Sequence, residues 1–165
     1  ASDLPAVSDD GRYVAFTSNA TNLVASDGNG VTDVFVRDAV NGTTVRVSVA
    51  SNGGEGGGQS YAFDMSSDGR RVTFQSLASN LVASDTNGVQ DIFLHDRDTD
   101  TDGLFDEAGA VATMRVSVDS LGTEADAASA APAISTTTSA AISTKPSYAN
   151  CSCCRRCDCY ITGTF

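Results

Sequence analysis

Apolar and polar positions along this chain fall into short runs rather than helical stripes. Residues 12–18 (RYVAFTS) are β-branched and aromatic, and the Asp10-Gly11 pair joins them to the extended segment 5–8, a strong hairpin signal. A long polar stretch leads to residues 33–38 (DVFVRD), where Val34, Phe35 and Val36 are apolar without alternation. Such a run predicts a strand covered on both faces. An Asn-Gly turn at Asn41-Gly42 precedes a fourth strand over residues 43–49 (TTVRVSV). Helix signals are nearly absent. The run 53–58 (GGEGGG) reads as a loop between units, because a phosphate cradle would need a following helix and a Gly-Lys-Ser/Thr.

The pattern recurs. Residues 22–38 read NLVASDGNGVTDVFVRD and residues 80–96 read NLVASDTNGVQDIFLHD. Gly11 and Gly69, Phe16 and Phe74, and Asp33 and Asp91 are each 58 residues apart, whereas Arg46-Val47-Ser48-Val49 recurs 69 residues on as Arg115-Val116-Ser117-Val118. The second copy therefore carries an 11-residue insertion between Asp96 and Arg115. A third copy starts at Pro132-Ala133-Ile134-Ser135, echoing Pro5-Ala6-Val7-Ser8, and then stops matching. A repeated four-stranded unit of this length predicts an all-β chain of β-propeller blades, each of four antiparallel strands, against the alternative of a β-sandwich with coincidental similarity. The expected division is blade one over 1–58, blade two over 59–127 with an inserted acidic loop at 97–107, and an incomplete third repeat with a Cys-rich tail over 128–165.

The segments PAVSDDGRYVAFTS, FDMSSDGRRVTFQS and NLVASD-x-NGV-x-D resemble the TolB-type β-propeller repeats of bacterial envelope and secreted proteins. The resemblance covers roughly residues 4–135, and the S-x-DGR-x-V-x-F hairpin is its most specific part. It implies a propeller, a location outside the cytoplasm and a binding or scaffolding role. After Ser135 the expected DGR-x-V-x-F hairpin is missing, so the third blade departs from the pattern.

Composition narrows the partners. The net charge of −11 argues against nucleic acid and anionic membrane surfaces, which need basic patches. It suits cation binding and solubility. No apolar run approaches the ~20 residues of a membrane helix. Ala1 is neither an initiator Met nor part of a signal-peptide pattern, which reads as a mature or excised chain.

The insertion holds Asp98-Thr-Asp100-Thr-Asp102-Gly-Leu104-Phe-Asp106. Alternate residues of an extended loop share a face, so Asp98, Asp100 and Asp102 can converge on one centre. The Leu104 carbonyl and Asp106 then complete an oxygen shell that suits Ca²⁺. An EF-hand would need Glu where this loop has Gly109, and flanking helices. The spacing instead resembles the calcium loops in the propeller blades of integrin α-chains. The alternative is a solvated acidic turn, but residues 96–107 carry six acids against one Arg. Packing that charge without a cation is unfavourable.

Shortened versions lie at Asp27, Asn29 and Asp33, and at Asp85, Asn87 and Asp91. These are either weak Ca²⁺ sites or Asn-Gly turns whose Asp side chains cap backbone amides. The single histidine, His95, aligns with Arg37 and lacks a nucleophile context, so no catalytic constellation stands out.

The last 30 residues change sign, with 3 basic and 1 acidic residue against 7 and 20 before them. Cys151, Cys153, Cys154, Cys157 and Cys159 all lie there. Three readings stay open: a Zn or Cu site, disulfides (between chains for the odd cysteine), or sequence read out of frame after Ser135. The chain is thus expected to be a calcium-stabilised, non-enzymatic binding or scaffold module of the bacterial envelope or secreted space. It is expected to bind a protein or itself, and not to insert in a membrane. The rival expectations are a subunit self-assembling into a surface polymer and the propeller part of a larger secreted hydrolase.

Overall fold

The computed structural model describes residues 2–135, 141–146 and 160–162, and among these it contains strands and no helix. The first sheet orders β1 (Ser2–Val7), β2 (Tyr13–Ser18), β3 (Asp33–Asp38) and β4 (Thr43–Arg46) as an antiparallel meander. The second repeats it with β5 (Ser60–Met65), β6 (Arg71–Ser76), β7 (Asp91–Asp96) and β8 (Ala112–Arg115). A third sheet pairs β9 (Ser129–Ile134) with β10 (Ala141–Pro146), and β10 with β11 (Tyr160–Thr162). The expected stop at Ser135 thus falls at the end of β9, but the sheet continues past it with two further strands.

The S-x-D-G-R signature builds each first hairpin by local hydrogen bonds. Ser8 Oγ donates to Asp10 Oδ1 at 2.6 Å and accepts the Tyr13 amide at 2.9 Å, and Asp10 Oδ1 accepts the Arg12 amide at 2.9 Å. Ser66, Asp68 and Arg70 repeat the arrangement, with the Arg71 amide donating to Ser66 Oγ at 2.8 Å. Gly11 and Gly69 take the left-handed φ this turn demands, at 72° and 75°. The motif's arginine then reaches the end of the third strand. Arg12 Nη2 lies 2.8 Å from Asp38, and Arg70 Nε 2.7 Å from Asp96.

One core fills the space between the first two sheets. Ala15, Val34 and Val36 of the first face Val72, Phe74 and Phe93 of the second, all with no exposure. Phe74 and Phe93 are cross-strand partners with ring centroids 5.6 Å apart. Their repeat-mates Phe16 and Phe35 stack at 5.8 Å on the opposite face of the first sheet. The other face of the second sheet is met by β9, where Leu94 packs with Ile134 and Val116. The expected two-sided burial holds for Val34, Phe35 and Val36, none of them exposed, and for all of β7.

The glycine-rich run is a socket between sheets. Asn80, beyond β6, accepts the Gly57 amide at 2.7 Å and donates to the Glu55 carbonyl at 2.9 Å. A Cβ on Gly58 would lie 2.6 Å from the Leu77 backbone, so this close approach admits only glycine. Gly69 is a second such point, because its added Cβ would stand 2.3 Å from Tyr13 Cδ2. Gly11 has the same φ and open space around it.

Gly11→Ala should therefore cost only the backbone strain of a left-handed residue, about 1–2 kcal/mol. Gly69→Ala should cost about 1–3 kcal/mol more, because Tyr13 must move. Urea unfolding of the two variants measures the difference, and equal losses would refute the packing of Tyr13 on Gly69.

Candidate metal centre

The insertion leaves β7 at Asp96, whose carboxylate takes the Arg70 and Arg71 guanidinium groups and the Asp98 amide. That contact turns the chain inward, and Asp98 is only 4% exposed. Asp98 Oδ2 accepts the Gly103 amide at 3.2 Å, whereas buried Oδ1 has no hydrogen-bond partner. One carboxylate oxygen from each of Asp98, Asp100 and Asp102 lies within 4.8 Å of the others. Thr101 and Gly103 adopt left-handed φ values of 63° and 86°, which curl the loop around this point. Leu104 donates its amide to Asp102 Oδ1 at 2.8 Å and is itself 58% exposed. The Asp100 carboxyl is held above its ordinary pKa by desolvation, then by the adjacent Asp98 carboxyl and the nearby Asp102 charge. Each of the three thus offers a carboxylate oxygen toward one point.

Asp106 differs from the expectation. It was to close the oxygen shell, but it is not among the three converging carboxylates. Its left-handed φ of 67° departs from the extended loop that the spacing assumed, and its Oδ1 accepts Arg97 Nε at 2.8 Å. Arg97 also donates to the Gly69 carbonyl at 2.8 Å, and its guanidinium lies 4.9 Å from the centroids of both the Tyr13 and Phe105 rings. These contacts join the insertion of the second sheet to the first.

In the two shortened loops the structure places an arginine. Arg46 Nη1 lies 3.3 Å from Asp27 and 3.4 Å from Asp33, and its Nη2 lies 2.8 Å from Glu55. Asn29 donates to Asp33 at 2.8 Å and to the Gly56 carbonyl at 2.9 Å, while Ser48 Oγ donates to Asp33 Oδ1. The second copy sets Arg115 Nη1 3.5 Å from both Asp85 and Asp91 and 2.8 Å from Glu124. There Asn87 bonds Asp91 and the Ala125 carbonyl. The arginine is the residue that loop spacing missed, although the repeated R-V-S-V carried it. Desolvation, then the Asp91 charge, raises the Asp85 pKa.

The five cysteines lie outside the described residues. An open depression of about 490 Å³ lies along Val116, Val118, Glu124, Ala125 and Ser129. At the 69-residue offset these are the mates of Val47, Val49, Glu55, Gly56 and Ser60, the wall of the socket that Asn80 enters. The depression thus occupies the position at which the first copy receives Asn80.

No family model and no curated protein matches the chain. Two solved structures align with 88% of it. The putative TolB from Agrobacterium tumefaciens is 16% identical with a TM-score of 0.51, and this chain spans 39% of its length. The TolB from Acinetobacter baumannii is 20% identical with a TM-score of 0.44, and this chain spans 27% of its length. The fold is TolB-like, and the four-stranded sheets are its propeller-type units. Among the described residues no helix is long and apolar enough to cross a membrane.

His95 is 2% exposed, with Nδ1 2.8 Å from Thr113 Oγ1. Burial, reinforced by the Arg97 charge and opposed by Asp106 and Asp96, pulls its pKa from 6.5 down to about 4. The fold therefore holds the neutral ring while the unfolded chain takes the proton first. This contribution is fully present above pH 6.5 and is lost as pH falls toward 4, on the order of 3 kcal/mol in all. His95→Gln should flatten the wild-type decline of stability across that window, as measured by urea unfolding at successive pH values. A parallel decline in both proteins would exclude His95 as its cause.

Proposed function

We propose that this chain is a non-enzymatic β-propeller module that binds or scaffolds a protein partner in the bacterial envelope or secreted space, with Ca²⁺ in its inserted loop. The TolB-like stacking of sheets supports the binding role and the extracytoplasmic location. The single imidazole is buried against Thr113 and so is not presented to a substrate. The observation that carries the cation reading is Asp98, whose buried Oδ1 is unpartnered beside two further carboxylates. A buried charge without a partner is costly, and a cation removes that cost. Ca²⁺ fits because every ligand offered is a hard oxygen.

The test is a melting curve. At ~100-fold excess over the dissociation constant, Ca²⁺ should add about 2.7 kcal/mol, provided the unfolded chain does not bind it. That corresponds to roughly 5–10 °C for a chain of this size. Asp98→Asn should abolish the gain. A wild-type curve indifferent to both Ca²⁺ and chelator would sink the site.

A second reading, self-assembly through the first sheet, has its own support. Val72 and Phe74 are fully buried, while their repeat-mates Val14 and Phe16 are only half-buried, and Val7 beside them is 54% exposed. An uncovered face of this kind favours association. Light scattering at micromolar concentration should then find species larger than one chain, and Phe16→Asp should shift them toward the monomer. A cooperative wild-type monomer would overturn the self-assembly reading alone.

A further inference from the structure

We propose that a divalent cation held by Asp98, Asp100 and Asp102 latches the second sheet onto the first, acting through Arg97 and the Tyr13 ring. The inference rests on the cation reading above and adds what the ion does.

The insertion belongs to the second sheet in sequence, yet its contacts reach the first. Phe105 lies 5.3 Å from the Tyr13 ring, centroid to centroid, and Arg97 lies over both rings. Tyr13 in turn seats on Gly69, where no side chain would fit, and Arg97 ties down the Gly69 carbonyl at 2.8 Å. Next to these, the Asp9 amide donates to the Ser67 carbonyl at 2.9 Å, a main-chain bond from one sheet's hairpin turn to the other's. The junction is therefore closed by Tyr13 from one side and by Arg97 and Phe105 from the other.

The two residues that close it from the second sheet frame the carboxylate cluster. Arg97 immediately precedes Asp98, and Phe105 follows Asp102 by three positions. Asp106 grips Arg97 at the loop's base, and the Asp106 amide donates to the Arg97 carbonyl at 2.8 Å. Between these ends, three carboxylates face one another and one of them is buried. Like charges so close push the loop open. A bound cation reverses the sign of that force and holds Arg97 and Phe105 in register with Tyr13. Oxygen-only ligands on a curled loop point to Ca²⁺ in preference to Mg²⁺, which demands tighter octahedral geometry.

Linkage makes the latch measurable from both ends, since two coupled equilibria must affect each other by the same factor. Calorimetric titration of the full chain with CaCl₂ should show binding in wild type. Tyr13 touches no carboxylate of the cluster, yet Tyr13→Ala should weaken that binding by at least about fivefold. Tyr13→Phe keeps the ring and should retain wild-type affinity. Hydrogen exchange of the Asp9 amide should slow with Ca²⁺ relative to EGTA. The Gly11 amide, bonded within its own turn to the Ser8 carbonyl, serves as the control that does not change. Equal Ca²⁺ affinity in wild type and Tyr13→Ala, with Asp9 exchange insensitive to Ca²⁺, would overturn the latch and leave the cation site standing. Absence of any Ca²⁺ binding to wild type would remove both. Should Tyr13→Ala not fold, the Asp9 exchange of wild type with and without Ca²⁺ decides the question by itself.

Discussion

The constraint on which this structure depends is that each sheet has two apolar faces and neither is stable in water. A β-strand sends successive side chains to opposite faces. Val34, Phe35 and Val36 therefore load both sides of β3, and Ile92, Phe93 and Leu94 load both sides of β7. A single sheet cannot satisfy such strands, and a stack can. Stability in the stack then resides in the contact between neighbours, as in other repeat architectures. The socket glycines, the Asn80 bonds and the Tyr13–Gly69 seat all serve that contact, since each lets one sheet approach the next at backbone distance.

Carboxylates are the second currency of the chain, and the two regular loops and the insertion treat them differently. In each regular loop an arginine from the fourth strand enters the ring of acids, with Asn29 or Asn87 filling a remaining lone pair. One guanidinium thus offsets part of the charge of three carboxylates in each loop. The insertion has an arginine too, but Arg97 is committed to Asp106 and the Gly69 carbonyl. Among the described residues no arginine forms an ion pair with Asp98, Asp100 or Asp102, although Arg70 is near enough to Asp98 to feel its charge. The regular loops and the insertion thus differ in where a single guanidinium points.

Much of the fold was legible in the sequence because the signals were local. The Asp-Gly and Asn-Gly turns, the strand runs and the 58-residue echo each lie within one hairpin or one unit. The arginine centres were hidden because Arg46 stands 19 residues from Asp27 and meets it only after β3 and β4 pair. Asp106 was misplaced for a different reason. The alternate-residue rule assumes an extended chain, and left-handed residues at Thr101, Gly103 and Asp106 break that assumption. The first three acids still converge, since Asp98 is anchored by the bonds of its neighbour Asp96 and by the Gly103 amide.

Comparing the two copies position by position shows how far the sequence distinguishes a covered face from an open one. His95 lies in the covered face of the second sheet and is buried, and its mate in the first sheet is Arg37, which is exposed and bonded to its own turn at the Gly42 carbonyl. Leu77, in the segment that docks in the socket, corresponds to Asn19 in the first copy. Both exchanges run toward polarity, as they do in the capping units of repeat proteins. Phe16 and Val7 did not follow, and they keep an apolar character, with Phe35 beneath them fully buried. A full cap would exchange all of these. An interior unit would exchange none. The first sheet therefore combines apolar strand centres with polar margins, where Arg37 and Asn19 stand.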